Sequence, residues 1–169
     1  MANNAKNVFT GKPLATGGCL VAPLGTALPT TQAATLNVAF LPTGYIAEDG
    51  VERSEDRSFS EIKDWGGLTI KKSQNGFTVE ISFGFLEYLN PVAAKSIYGD
   101  SNVTVTAANG SHGALLDVKV NGDEPPHKSW VLEMADGVAK GRVVIPDGQI
   151  TATDSTTYSV EDATLRQVT

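Results

Sequence analysis

A serine and a histidine stand side by side at Ser111 and His112, and they are the first candidates for chemistry in this chain. A serine nucleophile activated by a histidine base would suit acyl transfer. The nucleophile elbow of hydrolases needs a glycine two residues before the serine as well as two after, and Asn109 stands at the first of these positions. The spacing therefore favours a polar turn, in which these side chains cap backbone groups, over a hydrolase triad.

A second candidate is the densest acidic cluster in the sequence. Its carboxylates are Asp49, Glu52, Glu55 and Asp56. A calcium loop places oxygen ligands at alternate positions around a central glycine and closes with a glutamate, and this spacing does not match. Arg53 and Arg57 also neutralise part of the charge. The pattern favours a solvated charged loop over a metal site.

The sequence offers no other cofactor chemistry. A single cysteine, Cys19, cannot form an internal disulfide, and with two histidines it cannot complete an ordinary zinc site. Neither a phosphate-binding loop nor a dinucleotide fingerprint occurs. We therefore expect no catalytic, cofactor or metal site, and a structural or interaction protein rather than an enzyme.

Composition sets further expectations. A length of 169 residues suits one domain, and the sparse cysteine use suits a protein made in the cytosol. The formal net charge of −6 argues against binding to phosphate backbones. The polar N-terminus has no apolar run behind it, which predicts no signal peptide and no membrane span.

The elements that must position any site are mostly strands. Residues 77–85 alternate apolar and polar side chains, and Asn75-Gly76 before them predicts a hairpin with residues 68–73. The aromatic side chains of Phe77, Phe83 and Phe85 are expected in the core. One helix is predicted over residues 91–98, with Asn90 as N-cap and Gly99 at its end.

The rest of the chain divides into an arm and a β-domain. Residues 1–34 are predicted to form an arm or edge segment, with a short edge strand over 19–22. This arm either lies on the core or docks on a neighbouring subunit. Residues 35–169 are predicted to form one β-sandwich domain that starts with a strand over 35–41 and includes a long loop over 42–66.

Further strands are expected at short intervals after the helix. They are predicted over residues 102–107, 114–120, 130–134, 141–145 and 149–153, with one more within 157–167. Asn-Gly and Asp-Gly pairs between such runs are typical of an all-β sandwich or barrel.

Several strings of residues carry a family resemblance. They are residues 43–50, 62–67, 98–105, 128–131 and 143–149. In this order, from about Leu20 to Tyr158, the chain resembles the major tail protein, or tail tube subunit, of long non-contractile-tailed (siphovirus-type) bacteriophages of actinobacteria. Members of that family usually continue past the strand near Tyr158 into another strand and a final hairpin, whereas this sequence stops at residues 166–169, so we expect it to be either truncated or shorter by nature.

The resemblance implies a mainly β fold: a sandwich or half-barrel of antiparallel strands with one short flanking helix. It implies hexameric rings that stack into a tube in the virion tail, assembled in the host cytoplasm. The genome would pass through the lumen without specific binding. The partners would be further copies of the chain, the tape measure protein, and the tail terminator and tail tip proteins, with no membrane involved.

The resemblance also suggests which residues do this work. The 42–66 loop is expected to contact the next ring through Tyr45, Asp49, Phe59 and Trp65. Residues 2–18 are a second candidate for that contact. The polar face of the long strand, Thr78, Glu80 and Ser82, is expected to face the lumen, and Glu87 is a further acidic candidate.

One alternative function stays open at this point. The same strand pattern, together with Trp65 and Trp130, would suit a carbohydrate-binding or adhesive β-sandwich on the virion surface. That function requires exposed aromatic platforms.

Overall fold

The computed structural model describes residues 3–14 and 17–169, and in this part the protein is mainly β with antiparallel sheets and one α-helix. The strands are β1 Lys12–Pro13, β2 Cys19–Pro23, β3 Leu41–Pro42, β4 Ile46–Lys63, β5 Thr69–Phe85, β6 Val103–Thr106, β7 Leu115–Val118, β8 Lys128–Asp136, β9 Ala139–Gly148 and β10 Arg166–Val168. The helix is α1 Pro91–Tyr98. No sheet in the described residues closes into a barrel, and the predicted β-sandwich is confirmed.

The main sheet is built around β8. β9 pairs with one side of β8, and β1 and β2 pair with the other side, with β3 beyond β2. Five consecutive residues of β8 are buried, because both faces of this sheet are covered. The β8–β9 turn falls at Gly137, where φ is +60°, as the Asp136-Gly137 pair predicts.

The inner face of the main sheet packs against the base of a second sheet, which has the order β10–β5–β4. Phe83 and Phe85 lie edge-to-face with ring centroids 5.0 Å apart, and Phe83 lies 6.1 Å from Trp130. Val168 of β10 and Ile97 of α1 complete this core. The predicted core positions of Phe83 and Phe85 are thus confirmed, whereas Phe77 is half exposed and lies outside the core.

The outer face of the main sheet is covered by the segment between β2 and β3. Phe40 packs there against Ala22 and Val131. Arg142 of β9 pairs with the buried carboxylate of Glu133, with 2.8 Å between Nε and Oε1. The same guanidinium donates to the carbonyl oxygens of residues 31 and 34 at 2.8 and 3.0 Å, so it ties this segment to the sheet.

The helix follows its sequence signals. The side chain of Asn90 accepts hydrogen bonds from the backbone N–H groups of Val92 and Ala93, and Pro91 occupies the first turn. Gly99 has φ +85° and donates its N–H to the Lys95 carbonyl. Ala93, Ala94, Ser96 and Ile97 are the buried residues of the helix, which covers one flank of the core.

The strand predicted over 35–41 is wrong. Only Leu41–Pro42 is extended, and it pairs with β2. Asn37 explains the difference, because its side chain accepts from the Ala39 N–H at 2.9 Å and its carbonyl accepts from the Phe40 N–H at 3.0 Å. This turn breaks the alternation, and it leaves Val38 in solvent while Phe40 is buried.

The hairpin predicted at Asn75-Gly76 and the loop predicted over 42–66 are also wrong. β4 and β5 form one long antiparallel hairpin, and its turn is at residues 64–68. Ser58 pairs with Gly76 and Phe59 pairs with Gln74, so Asn75 is the extra residue of a β-bulge. The same residue types that suit a type I′ turn are also tolerated at a bulge, and here the bulge is what forms.

Smaller corrections concern the two ends of the chain. β2 is not an edge strand, since it lies between β8 and β3, with Cys19, Val21 and Ala22 buried. The strand predicted within 157–167 is displaced to Arg166–Val168, where it pairs with the base of β5. Residues 149–153 form no strand beyond a single bridge from Thr153 to Val168.

Candidate interaction surface

The β4–β5 hairpin projects out of the body of the protein. From Glu52 to Lys63 and from Thr69 to Glu80, every residue except the half-buried Gly76 is exposed. Twelve residues of strand span about 40 Å. An isolated two-stranded ribbon is only marginally stable in water.

Both outer edges of this ribbon are open. β5 pairs with β10 only over Phe83 to Phe85, and β4 has no partner but β5 among the described residues. The backbone N–H and C=O groups along 52–63 and 69–82 that point away from the hairpin are therefore available for pairing with another strand. Long unprotected edges of this kind associate with other chains.

One face of the ribbon is polar and acidic. Register places Glu52 opposite Ser82, Ser54 opposite Glu80, and Asp56 opposite Thr78. Directly paired residues share a face, so three carboxylates and three hydroxyl side chains lie together. This patch, which we call the acidic face, contains no lysine or arginine. It therefore repels phosphate groups and offers them no counter-charge.

The opposite face combines apolar and charged side chains. Arg53, Glu55 and Arg57 lie opposite Ile81, Val79 and Phe77. Glu55 contacts both arginines, at 3.3 and 3.7 Å, and the Arg57 guanidinium lies 4.2 Å from the centre of the Phe77 ring. These exposed contacts order the long side chains and leave apolar surface between them.

The end of the hairpin is a tight turn with an exposed tryptophan. The Asp64 side chain accepts from the Leu68 N–H at 2.7 Å, and Gly67 adopts φ +85°. Trp65 is fully exposed at 104%, and further large apolar side chains near it are at least half exposed. These side chains are Phe59, Ile62, Leu68 and Ile70. An apolar cluster of this kind on a projecting tip indicates a contact site.

Lysines surround this tip. Lys72 contacts Glu61 at 2.8 Å and Lys63 lies 3.9 Å from the same carboxylate. The hydrogen bond from Lys72, with a second from Thr69, lowers the pKa of Glu61. Charges of both signs therefore meet at the tip.

The structure separates the four residues expected at the inter-ring contact into two pairs. Tyr45 and Asp49 lie at the base of the hairpin, where the Tyr45 N–H donates to the Glu87 carboxylate at 3.0 Å. Phe59 and Trp65 lie at its outer end. About 45 Å of strand separates Asp49 from the turn. Residues 2–18, the second candidate for that contact, fall partly outside the described residues.

The three residues expected at the lumen lie together on the acidic face. Thr78 and Glu80 are exposed, and Ser82 is half-buried with its hydroxyl 2.9 Å from that of Thr169. Sequence reasoning missed their partners Glu52, Ser54 and Asp56. The signal was a two-residue period of small acidic and hydroxyl side chains along 52–60, which is easily taken for a loop because no apolar face accompanies it.

The residues first considered for chemistry lie elsewhere. Ser111 and His112 sit in the predicted turn, where the Asn109 side chain accepts from both of their N–H groups at 2.8 and 3.2 Å. The four carboxylates of the acidic cluster lie on β4 rather than in a loop. Within the described residues, no three His, Cys, Asp or Glu side chains converge to hold a metal ion.

Two further findings concern the tryptophan platforms of the adhesive alternative and the possibility of a membrane-spanning helix. Trp130 is buried, and its indole N–H donates to the Gly148 carbonyl at 3.3 Å, so it offers no aromatic platform. Among the described residues, no helix has the length and apolar character needed to cross a membrane.

A family model described as phage tail tube protein matches residues 1–169. No curated protein matches the chain.

Proposed function

Because the chain belongs to the phage tail tube protein family, a family of structural virion proteins, we propose that it forms hexameric rings that stack into a tube for passage of the genome. The observation that carries this proposal is the projecting hairpin, which has two open edges and one acidic face. We further propose that the tube belongs to a long non-contractile tail of a phage that infects actinobacteria, a proposal supported by the strings at 43–50, 62–67 and 143–149.

The open edges supply a way to close a ring. If the free edge of β4 on one copy pairs with the free edge of β5 on the next, the contact is heterologous and repeats around an axis. Closure satisfies the backbone groups that each monomer leaves open, and it removes the edges that would otherwise promote aggregation. A six-fold ring is the closure that we propose.

The acidic face then lines the bore. When the hairpins lie side by side in the same orientation around the tube, Glu52, Asp56 and Glu80 of every copy point to the same side of the tube wall. Six copies would place a repeated set of carboxylates on the inner surface. Such a wall repels the phosphate backbone and allows DNA to move through without binding.

The two pairs of residues at the ends of the hairpin are proposed to meet between rings. Phe59 and Trp65 project from the outer end of the hairpin of one ring. Tyr45, which is 75% exposed, and Asp49 lie at its base. In a stack of rings that point the same way, the outer end of one hairpin approaches the base of a hairpin in the next ring. The N-terminal arm is proposed as a second contribution to this contact.

The remaining parts of the proposal follow from the tube. The assembly would be built in the host cytoplasm and end in the virion tail. It would contact the tape measure protein inside the tube, and the tail terminator and tail tip proteins at its two ends. It would work without a cofactor and without catalysis.

Electron microscopy of the purified full chain tests this proposal. Negatively stained samples are taken over a range of protein and salt concentrations. We expect hollow rings and tubes of constant width, favoured by salt because the chain is acidic. Monomers alone under every condition would contradict the proposal.

The adhesive alternative loses its main support. It depended on two tryptophan platforms, and of these only Trp65 is exposed. Binding of the monomer to a glycan array, abolished by Trp65→Ala, would restore that alternative.

A further inference from the structure

An open groove runs along the base of the hairpin on the side opposite the acidic face. It has a volume of about 580 Å³ and lies between β5 and the edge strand β9. Its apolar lining includes Ile81 and Phe83 on one wall and Val143 and Ile145 on the other. Ile81, Val143 and Ile145 are only half-buried, so the monomer leaves apolar surface at the bottom of a concave site. A volume of this size accommodates large side chains or a small ligand.

The hairpin tip has the shape and chemistry to enter such a groove. Trp65 stands free at its end, and Leu68 beside it is 69% exposed. Tryptophan is enriched among the residues that contribute most to binding at protein interfaces, and its burial in a pocket removes a large apolar area from water.

Charge also favours this contact. Residues 59–72 carry three lysines against two carboxylates, which makes the tip net positive by one in a chain of net charge −6. The charged residues that line the groove on this side of the hairpin are Arg53, Glu55 and Asp147, while Glu80, which borders the groove, belongs to the acidic face. The groove is therefore net negative by one, and tip and groove attract each other.

We propose that the groove receives the hairpin tip of a second copy of this chain, with Trp65 as the anchor. The inference rests on the proposed tube, and it identifies the surface that the tip contacts. A contact between a projecting patch and a pocket elsewhere on the same molecule is heterologous and does not close on itself. Each docked copy still presents its own free tip or groove, so the chain of contacts extends and lengthens the tube.

Disulfide trapping in the full chain tests this docking. The double variant Leu68→Cys/Thr151→Cys places one thiol at the tip and one at the exposed rim of the groove. Because tip and groove of one chain lie tens of ångströms apart, a disulfide between them joins two molecules. Docking would hold the two thiols close together on neighbouring molecules. Under mild oxidation with diamide we expect a ladder of covalent multimers on a non-reducing gel.

The matched control is Leu68→Cys/Val138→Cys, which moves the second thiol to the fully exposed β8–β9 turn. The native Cys19 does not interfere, because it is fully buried and burial raises its pKa to about 12. If the double variant does not assemble alone, it is diluted into wild-type protein and covalent dimers are counted instead.

The outcomes separate this inference from the proposed function. A ladder from the groove variant that clearly exceeds the control supports docking. Tubes in the micrographs with no more cross-linking than the control overturn docking and leave the tube intact. If wild-type protein forms no assembly in any condition, the proposed function fails and the docking fails with it.

Discussion

Trp65 shows at the scale of one residue how a side chain can matter for assembly and not for folding. Its indole is fully in solvent, and it makes no contribution to either core cluster. Nothing in the folded monomer accounts for a large apolar side chain in this position. Exposure of the indole to water is unfavourable, and burial against another surface would remove this cost.

Replacement of this side chain is therefore expected to separate the two properties. Trp65→Ala should leave the free energy of unfolding within about 0.5 kcal/mol of wild type, as surface substitutions do. It should weaken self-association by at least about 2 kcal/mol, which is about thirtyfold. Thermal unfolding and sedimentation velocity measure the two quantities. Val138→Ala, at a position that is 101% exposed, is the matched control. Equal association of both variants would remove Trp65 from the interface.

Cys19 gives a prediction for the core. Burial raises the pKa of its thiol to about 12 from its ordinary value of 9.0, so the folded state holds the proton where the unfolded state releases it. Stability from this group is complete below pH 9 and is lost between pH 9 and 12, at about 1.4 kcal/mol per pH unit. Urea unfolding of wild type and Cys19→Ala from pH 8 to 11 measures the slope, and the variant should lack this part of it. Parallel curves would show that the thiol titrates normally.

The hairpin shows at the scale of elements where sequence patterns mislead. Alternation along residues 77–85 predicted β5 because its apolar residues reach the core at Phe83 and Phe85. Residues 46–63 form an even longer strand, yet their charged alternation has no apolar face to reveal it. Local propensity also assigned Asn75-Gly76 to a turn. In the structure both strands continue past these residues, and Asn75 forms a bulge because it has no partner on β4. The helix, by contrast, depends on its own caps and was predicted within its observed bounds.

The segment between β2 and β3 was equally hidden from sequence patterns. It has no regular structure, and its position depends on Phe40 and on the Arg142 hydrogen bonds to two of its carbonyl groups. The ion pair with Glu133 joins residues nine apart in sequence, on paired strands. A partner across a sheet is not visible until the register is known.

This ion pair leads to a test of the segment. Arg142→Met should destabilise the protein by about 3–5 kcal/mol, because it leaves the Glu133 carboxylate buried without a partner. The double variant Glu133→Leu/Arg142→Met should recover part of that loss, since apolar pairs replace buried ion pairs at little cost. Urea unfolding of the three proteins gives the coupling energy. If the double variant is less stable than Arg142→Met, the buried Glu133 charge is not the cause of the destabilisation.

At the scale of the whole molecule, the fold class was accessible from the sequence and the outward ribbon was not. Regular strand spacing and turn pairs predicted a β-sandwich with one helix. Strands that pack on one common core are short and joined by tight turns, and this produces the regular spacing in the sequence. The ribbon has no core of its own to impose a pattern. Thr78, Glu80 and Ser82 were recognised as one polar face, and their partners on β4 emerged only from register.

The acidic face leads to a prediction about the assembled tube. The charge-reversed variant Glu52→Lys/Asp56→Lys/Glu80→Lys should retain duplex DNA in a salt-sensitive manner, because lysines release counterions from phosphates. Wild-type tubes should not retain it. The control carries the same charge change at the exposed residues Asp154, Glu161 and Asp162. Retention measured by co-sedimentation and equal in the two variants would argue against a lumen position for this face.

A three-dimensional reconstruction of the assembled full chain by cryo-electron microscopy would show directly whether the β4–β5 hairpins line the bore of a tube. We expect a hollow tube whose inner wall consists of β4 and β5 from every copy, with Glu52, Asp56 and Glu80 facing the bore. A tube whose hairpins lie on the outer surface, or whose bore is lined by other strands, would contradict it.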